Sequence, residues 1–223
     1  MSDRKESLIQ AFRWVYGLLG ASALLASYIF MMNGVHHDYD PLTAAGSVLR
    51  LFTNQSNLLV VVWTFYAIIK KGKTGGHSLL PVSLRGALGL YIGITFLIYH
   101  FFLRGAYSVS GPNLVVNTTT HYVIPFAYLL DWLLTETRGI YRWKHIGYWM
   151  IYPTVYVSVG IIAGVVGGHF PYAFLNWHQQ SMRDIMMYGG AALMGFLAIS
   201  AGLVYLNIKL NHFGESMRPK TFQ

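Results

Sequence analysis

The sequence predicts an all-α membrane protein, a bundle of six transmembrane helices with both termini in the cytoplasm. Three observations lead there. Of 223 residues, 54% are hydrophobic and only 11% charged, against the roughly 25% charged residues of soluble domains. Six apolar stretches are long enough, at about 20 residues each, to cross a hydrocarbon core of roughly 30 Å. The Lys and Arg residues sit at the two ends and in alternate connections, as cytoplasmic loops require.

The spans are predicted at Leu8 to Met32, Thr43 to Ile69, Val82 to Leu103, Asn117 to Leu134, Ile146 to Val166 and Asp184 to Ile208. The first contains Ala21, Ser22 and Ala23, a sequence compatible with signal-peptide cleavage. Its apolar run continues through Phe30, so it reads as a retained helix. Arg4, Lys5 and Arg13 precede or open it; Lys70, Lys71, Lys73 and Arg85 flank the second connection. Arg138, Arg142 and Lys144 mark the fourth, and Lys209, Arg218 and Lys220 close the chain. The other connections, around His36 to Asp40, Ala106 to Val116 and Gly167 to Met182, contain no Lys or Arg within those limits. With short loops and no repeat, residues 1–223 read as one six-span domain.

The net charge of +8 follows from this topology signal, and no nucleic-acid partner is expected. The absence of Cys excludes disulfides, thiol catalysis and cysteine metal sites. Six histidines, His36, His37, His100, His121, His169 and His178, fall on the outer side, but no HxxxH or HExxH spacing accompanies them. No metal and no cofactor are expected. Trp14, Trp143, Trp149, Tyr172 and Trp177 read as interfacial anchors.

The second span carries Arg50, Thr53, Asn54 and Asn57 at i, i+3, i+4 and i+7, which on a helix form one polar stripe. Polar groups inside a membrane are costly and face the bundle interior or a wet cavity. At about 1.5 Å per residue Thr53 lies some 15 Å below the outer end of its span. His100 and Arg104 end the third span; Asn117 and His121 open the fourth. A hydroxyl becomes a nucleophile when a base of suitable pKa takes its proton, which pairs Thr53 with His121. Arg50, Asn54 and Asn57 are then the candidate oxyanion donors, with His100 and Arg104 at the substrate. The alternative is a polar interhelical seam. Asp131, ten residues beyond His121, is about 15 Å deeper and is expected to pair with a basic residue such as Arg13 or Arg85.

Three segments, LFTNQSNLL from Leu51, HYVIPFAYLLDWLL from His121 and GGHFPYAFLNW from Gly167, resemble a prokaryotic six-span family. That family is similar to the androgen-induced membrane hydrolases of animals, which cleave fatty acid esters of hydroxy fatty acids. The resemblance implies a catalytic Thr in the second span and a catalytic His opening the fourth, at Thr53 and His121. It departs from the animal pattern at Thr118, where another His is expected, and in Pro125, which lies four rather than five residues after His121.

The resulting expectation is an integral inner or plasma membrane lipid ester hydrolase. A lipid-like ester enters laterally, its chain lying among Leu51, Phe52 and Ile124. Arg50 or Arg104 suits a free carboxylate on the substrate, since Arg binds carboxylates in bidentate fashion. The alternative function is a non-catalytic lipid or solute binding or transport protein using the same pocket.

Overall fold

In a computed structural model the described residues, 3–33, 40–70, 83–105, 109–168, 170, 172, 176 and 178–216, form an all-helical protein. The elements are α1 (Asp3–Met32), α2 (Pro41–Leu49), α3 (Phe52–Ile69), α4 (Leu84–Ile98), α5 (Gly111–Thr118), α6 (Ile124–Thr135), α7 (His145–Gly167) and α8 (Met182–Ser216). Two π-helical turns interrupt them: π1 (Tyr99–Leu103) continues α4, and π2 (Thr119–Val123) joins α5 to α6. Among the described residues five helices are long and apolar enough to cross a membrane: Arg4–Met32, Phe52–Ile69, Leu84–Leu103, His145–Gly167 and Met182–Asn211. His36, His37, Asp38, Lys71, Lys73, His169, Trp177, Arg218 and Lys220 lie outside the described residues.

Helix α4 is the centre of the bundle, packing against α3, α6, α7 and α8. Its Leu90, Ile92 and Ile94 are buried with Val60 of α3, Tyr128 of α6 and Val204 of α8. The outward faces stay apolar: Leu18, Val62, Leu133, Val159, Ile162 and Met194 are all exposed. Apolar surface on this scale marks a membrane-facing exterior. Close approach depends on glycine. A Cβ on Gly20 would lie 2.7 Å from Val61 Cγ2, and one on Gly86 2.4 Å from Trp149 Cζ2.

At one end of the bundle the buried charges meet. Asp131 accepts from Arg13 at 3.0 Å and from the Tyr16 hydroxyl at 2.9 Å, with Arg85 at 3.8 Å. Arg85 also faces Glu136 at 3.6 Å and stacks over Trp63 at 4.4 Å. Two cations and two anions on α1, α4 and the end of α6 thus neutralise one another where water is scarce. Asp131 has the basic partners expected of it, and this end of α6 is far from His121.

The second predicted span is corrected. It is two helices, not one, because Leu51 adopts an extended conformation (φ −82°, ψ 130°) between α2 and α3. A broken helix in an apolar setting must satisfy its loose carbonyls, and three side chains do so here. Asn54 Nδ2 donates to the Val48 carbonyl (2.8 Å), Gln55 Nε2 to that of Leu49 (2.6 Å) and the Tyr156 hydroxyl to that of Arg50 (2.9 Å). Tyr156 also accepts the Phe52 N–H at 3.1 Å, so one hydroxyl closes both sides of the break. The fourth predicted span is a helical stretch from Gly111 to Thr135 through π2. Trp149 is no interfacial anchor: at 2% exposure it belongs to the core.

Candidate functional site

The site lies at the end of the bundle opposite the buried charges, where the start of α3 meets π1 and π2. The origin of π2 is local. Pro125 has no N–H and its ring crowds the carbonyl four residues earlier, that of His121, so the regular ladder cannot pass. The Ile124 N–H bonds to the Thr119 carbonyl, five residues back. The Thr120 carbonyl is then left without the N–H of residue 124 or 125, and Asn57 Nδ2 supplies the missing donor at 3.1 Å. The same nitrogen donates to the Thr53 carbonyl at 2.8 Å. Asn57 therefore pins the first turn of α3 to the π turn that carries His121. Such turns recur at functional sites.

This arrangement brings Thr53 Oγ1 to 3.3 Å from His121 Nε2. The other ring nitrogen, Nδ1, donates to the Asn117 carbonyl at 2.9 Å. That bond assigns the proton to Nδ1 and leaves Nε2 as the acceptor facing the threonine hydroxyl. Tyr99 of π1 stacks on the imidazole with ring centroids 3.9 Å apart and planes 24° apart. Asn117 Nδ2 in turn donates to the Tyr99 hydroxyl in a short contact. The imidazole is thereby held in ring plane, tautomer and direction. Chemically, a hydroxyl beside an oriented neutral imidazole can pass its proton to that base.

Other residues expected at the site are elsewhere or already engaged. Arg50 is exposed beyond the break at Leu51, its guanidinium 3.4 Å from Ser47 Oγ, so the four-residue stripe does not exist. Asn54 and Asn57 are buried beside Thr53, but their amide N–H groups serve the carbonyls of Val48, Thr53 and Thr120. His100 Nδ1 lies 3.2 Å from the Tyr122 hydroxyl and its ring stacks on Phe96. Arg104 is exposed at the end of π1. Ile124 is fully buried in the core, and Leu51 is exposed. Among the described residues no three His, Asp or Glu side chains gather to hold a metal.

Two tyrosines that sequence reasoning missed stand beside Thr53. Tyr172, expected as an interfacial anchor, instead lies within hydrogen-bonding reach of the Thr53 side chain, the Tyr156 hydroxyl and the backbone of Phe52 and Thr53. Both line a cavity of about 290 Å³ between α3, α4, α7 and α8, together with Phe52, Ile98, Pro153 and Phe196. The i, i+4 pair Tyr152 and Tyr156, on a span otherwise rich in Val, Ile and Gly, was a signal available in the sequence.

No family model matches the chain, and no solved structure matches it. It is similar to a protein of Mycoplasma pneumoniae described as an uncharacterized protein MG452 homolog, 29% identical over 128 residues. The match covers 53% of this chain and 50% of that protein, so the chain spans about half the length of the curated relative it matches.

Proposed function

We propose that this protein is an integral membrane ester hydrolase with Thr53 as nucleophile and His121 as base, acting on lipid-like esters. The observation that carries the reading is the 3.3 Å approach of Thr53 Oγ1 to an imidazole whose other nitrogen is tied to the Asn117 carbonyl. The resemblance of its Thr53 and His121 segments to the androgen-induced hydrolases points the same way. In the reaction His121 Nε2 takes the Thr53 proton as Oγ1 bonds to the ester carbonyl carbon. Collapse of the tetrahedral species breaks the ester C–O bond, and His121 returns the proton to the departing alkoxide. Water, deprotonated by the same imidazole, then releases the carboxylic acid from Thr53.

The chain crosses the inner or plasma membrane six times in this reading, the sixth span being the helical stretch through π2, and both termini are cytoplasmic. Because the sequence has no Cys, sidedness can be read from single introduced cysteines. Ser181→Cys is expected to react with an impermeant maleimide on intact cells and Arg142→Cys only after permeabilisation.

The function is tested on detergent-purified full-length protein with p-nitrophenyl esters and a fluorophosphonate probe. Wild type is expected to hydrolyse and to be labelled, and Thr53→Ala and His121→Ala to lose both. Undiminished hydrolysis by Thr53→Ala would overturn the mechanism. A wild type that binds fatty acid without cleaving any ester would establish the non-catalytic binding reading instead.

A further inference from the structure

We propose that the cavity bounded by α7 and α8 holds the single aliphatic chain of the substrate, and that Tyr172, at its polar end, is the donor that binds the ester carbonyl oxygen. This rests on the Thr53 hydrolase reading and names its chain site and its missing oxyanion group.

The cavity wall is apolar along Phe52, Ile98, Pro153, Val157, Leu193 and Phe196, and carries phenolic hydroxyls at Tyr156 and Tyr172. Those same hydroxyls meet the first residues of α3: Tyr156 accepts the Phe52 N–H at 3.1 Å, and Tyr172 lies within hydrogen-bonding reach of the Thr53 side chain. A chain in the cavity with its ester at the tyrosines therefore presents its carbonyl to Thr53. Val157, Ser158 and Leu193 are exposed at the rim, so the opening lies on the apolar outer face between α7 and α8, the direction from which a membrane-dissolved molecule arrives. The volume of 290 Å³ accommodates on the order of ten groups at about 30 Å³ each. That suits one medium-length chain rather than the two chains of a phospholipid.

The donor is identified by what surrounds Thr53. Arg50 lies outside the site, both amide protons of Asn57 are spent on the Thr53 and Thr120 carbonyls, and the Asn54 amide is turned to the Val48 carbonyl at the helix break. Tyr156 gives its proton to the Arg50 carbonyl at 2.9 Å and Thr53 faces the acceptor nitrogen of His121, so of the three hydroxyls at this point Tyr172 is the one whose proton can turn to a substrate oxygen. During attack the Thr53 proton passes to His121, Oγ1 bonds to carbon and the carbonyl π pair moves onto oxygen. The Tyr172 O–H turns from its resting partner to that oxygen, two bonds from Oγ1, and keeps its proton throughout.

The test measures hydrolysis of p-nitrophenyl butyrate, decanoate and palmitate by the purified full-length protein, with folding checked by gel filtration. Wild type is expected to prefer decanoate. Tyr172→Phe, which retains the ring, is expected to lose about 10²- to 10³-fold in kcat with little change in KM for decanoate; a packing role would raise KM and lower thermal stability instead. Leu193→Trp, which fills the rim, is expected to lower the decanoate-to-butyrate ratio of kcat/KM by about 10- to 100-fold. Wild-type kcat in Tyr172→Phe, or an unchanged ratio in Leu193→Trp, with Thr53→Ala inactive, would overturn this inference and leave the hydrolase reading standing. Activity in Thr53→Ala removes the hydrolase reading and the carbonyl role of Tyr172 together. The chain site is then decided by fluorescent decanoic acid, whose binding Leu193→Trp must weaken for the assignment to survive.

Discussion

Asn57 and Thr120 belong to different helices, and Asn57 Nδ2 donates to the Thr120 carbonyl at 3.1 Å. The bond exists because the π turn and Pro125 leave that carbonyl without its usual backbone donor. Its consequence is the register of Thr53 against His121.

Asn57→Leu tests this link directly. It leaves the buried Thr120 carbonyl unsatisfied, at a cost of about 1–3 kcal/mol, and releases the turn carrying Thr53. Lower thermal stability together with at least a ten-fold loss of ester hydrolysis is expected. A variant equally stable and active would mean that Asn57 does not set the geometry.

Pro125→Ala separates stability from activity. The new N–H can restore the regular bond to the His121 carbonyl, worth about 3 kcal/mol in a helix interior. The straightened helix rotates His121 away from Thr53. The melting temperature is expected to hold or rise while hydrolysis falls, measured by tryptophan fluorescence and ester cleavage on one preparation.

Asp131→Asn disrupts the charge cluster. Arg13 and Arg85 then face each other over Trp63 without the carboxylate that joins them. Breaking a buried pair costs about 3–5 kcal/mol, so poor yield and a sharply lower melting temperature in detergent are expected. The double variant Arg13→Met with Asp131→Leu is expected to recover part of that loss.

Gly86→Ala asks how tightly α4 meets α7. The added methyl would stand 2.4 Å from Trp149 Cζ2 and 2.9 Å from Tyr141 Cε2, both rings being buried. Overpacking of this kind costs about 1–3 kcal/mol. Unfolding in a denaturant series measures it, and an unchanged midpoint would show that Trp149 can move.

Asp40 links pH to the start of α2. Its carboxylate accepts from the Thr43 hydroxyl and from the N–H groups of Thr43 and Leu42, and these bonds, the hydroxyl first, hold its pKa below the ordinary 3.8. A depressed acid stabilises the helix above its unfolded pKa and loses that effect as pH falls through the folded value. Asp40→Ala is therefore expected to fray α2 at neutral pH, read as faster hydrogen exchange at Leu42 and Thr43, and to make progressively less difference as the pH falls below 3.8 through the folded-state pKa.

Much of the architecture was legible in the sequence because bilayer thickness sets a length that composition can meet or miss. The apolar stretches and the pairing of Asp131 with Arg13 and Arg85 follow from that rule and from the cost of an unpaired buried charge. The break at Leu51 did not follow from it. A continuous apolar run from Thr43 to Ile69 looks like one helix until Asn54, Gln55 and Tyr156 are seen to satisfy the carbonyls it frees. Helical spacing therefore placed Arg50 beside Thr53, where the folded chain does not.

By itself the sequence determined an all-helical, membrane-type chain and singled out Thr53 and His121, because hydrophobic length and the few polar residues within it are local properties. Only the tertiary structure decided that these two side chains meet at 3.3 Å, that Asn117 orients the imidazole through its carbonyl and that Tyr172 comes beside Thr53. Each of those contacts spans different helices or depends on a π turn, and is set by where orphaned backbone groups find donors. Residue spacing along one helix carries no record of that search.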